Sequence, residues 1–80
     1  MNEEFHLGHL IHDELNRQEH TIAWLARRIK CHRTTMYDLF ERKYIDAERL
    51  ELISIALKRN FFNDLAQYEG TVIGSAIQNH

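Results

Sequence analysis

The chain has 80 residues, 44% of them hydrophobic and 28% charged, with no proline, one cysteine and a formal net charge of −2. That length holds one small domain and excludes a usual enzyme with a large substrate cleft. The composition excludes disorder and collagen, and a lone Cys31 excludes both an internal disulfide and a cysteine-rich zinc site.

Taken in chain order, the apolar spacing predicts helices throughout. Leu7, Leu10, Ile11 and Leu15 recur at intervals of three and four within residues 5–18, the pattern of an amphipathic helix. Thr21 is a hydroxyl cap for a second helix, in which Ile22, Leu25, Ala26 and Ile29 share a face. The phase then changes near Lys30, and Met36, Leu39 and Phe40 mark a third helix from about Arg33 to Glu41. Asp46 caps a fourth with a core face of Leu50, Ile53 and Leu57. Phe61, Phe62 and Leu65 suggest a short fifth helix, and the pattern after Gly70 fits strand, helix or disorder alike. The expected architecture is therefore an all-α bundle of about five short helices over residues 1–69, with a tail at 70–80.

Neither a membrane span nor a secretory leader is expected. The longest uninterrupted apolar run, Ile22 to Ala26, is five residues, against the roughly 20 that a bilayer requires. Glu3 and Glu4 stand where a leader would be apolar, which points to the cytoplasm.

The small net charge conceals a pattern. Residues 1–20 carry five acids and one base, and residues 44–80 carry five acids and three bases. Between them, Arg27, Arg28, Lys30, Arg33, Arg42 and Lys43 outnumber Asp38 and Glu41. A basic centre between acidic flanks suits one phosphate-facing surface on an otherwise acidic molecule.

Two short helices joined by a tight turn, the second with a polar and basic outer face, form the mechanical plan of a helix-turn-helix. The stretch from Trp24 to Phe40, WLARRIKCHRTTMYDLF, resembles the phage-repressor (Cro-like, XRE-type) helix-turn-helix family. Leu25, Ala26, Ile29, Cys31, Met36 and Leu39 fall at that motif's apolar positions, and Ile45 to Leu57 is similar to the helix that follows it. The likeness covers residues 5–62 and points to the short bacterial members. It implies a lambda-repressor-like fold, double-stranded DNA as partner and transcriptional regulation; no catalysis or cofactor is expected, since Ser54 and Ser75 lack a nucleophile-elbow motif and no glycine-rich phosphate loop is present. Lys30 departs from the pattern, standing where the family often has a glycine that permits a left-handed backbone.

Such a domain inserts the N-terminal end of its third helix deepest into the major groove. His32, Arg33, Thr34, Tyr37 and Asp38 are therefore the candidate base contacts. Arg33 comes first, because a guanidinium pairs bidentately with guanine O6 and N7. Thr21, Arg28, Thr35, Arg42 and Lys43 are the candidate phosphate contacts. Asp38 would be repelled by phosphate unless it accepts from cytosine N4 or pairs with Arg42 at i, i+4.

Leu52 and Ile55 project away from the core face of the fourth helix, an apolar strip that needs cover from the tail, through Val72, Ile73 and Ile77, from a second copy, or from both combined with tails reaching across the twofold. The expectation is a homodimer through Leu52 and Ile55. Two rival readings remain: a protein-interaction module on the same fold without DNA contact, and a metal- or pH-responsive sensor built on His6, His9 and His12. The helical angles of those three histidines fan too widely for one ion, so no metal ligand is assigned.

Overall fold

The computed structural model describes residues 5–78, and every element among them is helical. The five helices are α1 (Leu7–Arg17), α2 (Ile22–Arg28), α3 (Arg33–Phe40), α4 (Ala47–Leu57) and α5 (Phe61–Gln78). Each of the first four starts at a residue foreseen from sequence or within two of it. The Thr21 hydroxyl accepts from the Trp24 N–H at 3.0 Å, and the Asp46 carboxylate accepts from the Arg49 N–H at 3.0 Å. These side chains satisfy amide donors that a helix start leaves unpaired. α1 begins instead at His6, whose Nδ1 accepts from the His9 N–H at 3.1 Å.

α1, α2 and α4 end alike. Glu19, Lys30 and Lys58 take positive φ values of 61°, 57° and 55°. The next amide then bonds five residues back, His20 to Leu15, Cys31 to Ala26 and Arg59 to Ser54, at 2.9–3.1 Å. This closure satisfies the last carbonyls of each helix but favours glycine. Lys30 does adopt the left-handed turn, at a cost of about 1 kcal/mol for a side chain in that region.

The apolar stripes converge on one core. Leu7, Leu25, Met36, Leu50, Ile53, Leu57 and Phe61 are fully buried, with Ile11, Leu15, Leu39 and Phe40 beside them. α1 packs on α3, α2 on both α3 and α4, and α4 on α5. At the α1–α3 junction the Leu7 and Gly8 amides donate to the Lys43 and Arg42 carbonyls at 3.0 and 2.9 Å. Two donors at the start of α1 thus bond carbonyls just past the end of α3, a favourable meeting of opposite helix dipoles.

One expectation requires correction. The fifth helix is not short: α5 runs unbroken through Gly70 and Gly74 to Gln78, so of the three readings left open for the segment after Gly70 it takes the helical one. Residues 79–80 of the expected tail lie outside the described residues. No helix among the described residues is long and apolar enough to cross a membrane.

Candidate nucleic-acid interface

α3 has two unlike faces. Met36, Leu39 and Phe40 are buried at 0%, 2% and 6% exposure, whereas His32, Arg33, Thr34, Tyr37, Asp38 and Glu41 are exposed. Stepping about 100° per residue, Arg33, Thr34, Tyr37, Asp38 and Glu41 fall within a sector of about 140°. Four of the five expected base contacts, Arg33, Thr34, Tyr37 and Asp38, therefore share one outward face, and His32 stands exposed just before it at the helix start. The three apolar side chains opposite, and the α1 amides on the carbonyls of Arg42 and Lys43, hold that face from behind. His32 occupies the N-cap position without using its side chain as a cap, so its imidazole stays exposed at the helix start.

Charge on this corner is unevenly paired. Among the described residues Arg27, Arg28, Lys30 and Arg33 meet no carboxylate, whereas Arg17, Arg42 and Arg59 are each bound to an acid. Arg42 donates to the Asp38 carboxylate from Nε and Nη2 at 3.0 and 2.7 Å, the local pairing foreseen at i, i+4. That pair removes Asp38 from the free negative charge of the face, and it also occupies one expected phosphate contact. Glu41 remains as an exposed acid.

The other expected phosphate contacts differ in setting. Thr21 is exposed, and its hydroxyl oxygen caps α2. Thr35 is half-buried on the flank of α3. Lys43 is half-buried too, its ammonium 5.5 Å from the ring centres of both Tyr44 and Tyr68. The Arg28 guanidinium lies 4.9 Å from the Trp24 ring centre, and that ring stacks on His20 at 3.7 Å and 5°. The Cys31 thiol fills a half-buried position in the turn, where burial pushes its pKa up.

On α4, Leu52 and Ile55 are exposed, as expected of an unpaired strip. α5 does not cover them, and its own Val72, Ile73 and Ile77 are also exposed. The three histidines of α1 have structural work: His6 caps the helix, His6 stacks on His9 at 3.6 Å, and His12 stacks on Phe40 at 4.4 Å. No three His, Cys, Asp or Glu side chains among the described residues are placed to hold a metal.

Sequence reasoning missed three features. Gly8 admits a close approach of the Leu39, Phe40 and Arg42 carbonyls, and its signal was a glycine standing on the apolar side of an amphipathic helix. Glu14 is buried at 4% exposure, yet the pattern placed no acid in the core. The stack of His20, Trp24 and Arg28 follows from their i, i+4 spacing on either side of the only tryptophan. No family model, curated protein or solved structure matches the chain.

Proposed function

We propose that the protein is a sequence-specific double-stranded DNA-binding regulator of the helix-turn-helix kind, similar to the phage repressors, acting in the cytoplasm as a homodimer with α3 in the major groove. The observation that carries this reading is the outward face of α3. It presents Arg33, Thr34 and Tyr37 together, beside cations that no acid among the described residues neutralises, on a helix locked to the core by its opposite side. Arg33 reads guanine through two parallel hydrogen bonds, and Thr34 meets a thymine methyl or a phosphate. His32 and Tyr37 flank them. Thr21, Arg28, Thr35 and Lys43 fix the register on phosphate oxygens, and Arg42 joins them when it leaves Asp38. Two copies place their α3 helices about 34 Å apart on a two-fold site.

Selection of bound duplexes from a random pool, followed by titration at several salt concentrations, tests the proposal. Affinity is expected to fall with a log–log slope of about −0.9 for each phosphate neutralised. Arg33→Ala should cost about 1–3 kcal/mol on the selected site and relax selection at one base pair. An equal loss on every sequence would make Arg33 a phosphate contact. Absence of duplex binding at low salt would favour the protein-interaction reading, to which the exposed Glu41 on the same face already lends support.

A further inference from the structure

Beside the DNA-facing corner, between α2 and the C-terminal end of α4, lies a groove of about 310 Å³. His20, Trp24 and Arg28 line one side, and Ile55, Ala56 and Lys58 line the other. Its volume is at the lower end of the roughly 300–1,000 Å³ that small-molecule sites span. No acid lines it. Among the described residues neither Arg28 nor Lys58 is paired with a carboxylate, so two cations face the groove with their charge uncompensated.

The lining is more polar than apolar, and its aliphatic part is confined to α4. Ile55 and Ala56 give α4's side an aliphatic surface. Opposite them the indole is held by His20, parallel to it at 3.7 Å, and by Arg28 at 4.9 Å. A braced aromatic wall loses little freedom when a ligand arrives, which favours binding. Gln18 at the groove's end is already spent, donating to Glu14 and to the Leu57 carbonyl at 2.7 Å each. The charged donors therefore call for an anion, and Ile55 and Ala56 give a small flat ring an aliphatic surface to lie on.

We propose that this groove binds a small aromatic carboxylate, its carboxylate between Arg28 and Lys58 and its ring against Ile55 and Ala56. The site shares Arg28 with the proposed phosphate contacts and Ile55 with the proposed dimer strip but includes no α3 residue, and its test contains no DNA. Trp24 is the only tryptophan, so its fluorescence reports the groove directly. Titration with benzoate should give a saturable change with half-saturation at about 1 mM, a fragment-like affinity. Acetate, which lacks the ring, and benzyl alcohol, which lacks the charge, should each bind at least roughly tenfold more weakly.

Lys58→Gly supplies a variant that keeps the fold, because φ at this position is 55° and suits glycine. It should raise the benzoate half-saturation roughly tenfold while far-ultraviolet circular dichroism stays unchanged. Three results would overturn the site: no saturable response to benzoate, an equal response to benzyl alcohol, or unaltered benzoate binding in Lys58→Gly. Trp24 emission that varies with protein concentration and ignores benzoate would also overturn it, by placing a second copy in the groove.

Discussion

A β-carbon added at Gly8 would lie 2.5 Å from the Phe40 carbonyl oxygen and 2.6 Å from those of Leu39 and Arg42. All three are backbone atoms, so no side chain can swing aside to admit it. Gly8→Ala must therefore push α1 off the end of α3 and stretch the two amide–carbonyl bonds that join them. We expect a loss of about 2–4 kcal/mol, combining overpacking with weakened buried hydrogen bonds. Urea unfolding at neutral pH checks this, and an unchanged midpoint would show that the helices separate freely. The same position shows how single residues were legible. Hydroxyl and carboxylate caps at Thr21 and Asp46 were readable because their chemistry is local. Gly8 was not, because the atoms it makes room for come from residues more than thirty positions away. Lys30 was readable in its strain, since the turn it occupies requires a left-handed backbone whichever residue fills it.

Between elements, the Glu14 carboxylate ties α1 to the corner where α4 meets α5. It accepts from Arg17 Nε at 3.1 Å, from Gln18 Nε2 at 2.7 Å and from Arg59 Nη1 at 2.7 Å, while Arg59 also holds Asp64. The Arg17 hydrogen bond most of all, then that of Gln18, overrides the upward push of burial and brings the Glu14 pKa from 4.5 down to about 2. A carboxyl whose pKa is lower in the folded state stabilises the fold above its unfolded pKa and loses that contribution as acid protonates it. Glu14's share is thus complete above about pH 4.5 and disappears as pH falls towards 2. With Arg17 largely in water, the share is about 1–3 kcal/mol. Glu14→Gln should remove a similar amount at pH 7 and flatten the decline in stability between pH 4.5 and 2, measured by urea unfolding across that range. A decline as steep as that of the parent protein would assign it to other acids. Helices α1 to α4 were legible because three- and four-residue periodicity records which face is buried. The length of α5 was not, since Gly70 and Gly74 read as breakers, and an added β-carbon at either would meet nothing within 4 Å. Their helical conformation is set by the chain on both sides, not by any neighbour that needs the space.

The whole molecule leaves a good part of its apolar surface in water. Ile55 is 69% exposed, Leu52 43% and Phe62 37%, and Ile55 and Phe62 also border an open groove of about 420 Å³ between α4 and α5. A domain of this size buries only about 60–65% of its unfolded surface, so a contiguous apolar face represents stability that one copy alone does not collect. The sequence identified Leu52 and Ile55 from their angle on α4, but it offered two covers. α5 leaves both side chains exposed, which leaves a second copy as the cover within the proposed homodimer. A two-fold contact would present the same strip from each protomer, so one substitution inserts two charges into the interface. Leu52→Glu is accordingly expected to halve the mass seen by sedimentation. It should leave the helical content intact, because Leu52 is exposed and lies outside the core. On a two-fold DNA site the variant should bind with lower affinity and lose its dependence on half-site spacing, while contacts within one half-site persist. An unchanged mass would move the interface elsewhere and leave the α3 face to be tested as that of a monomer.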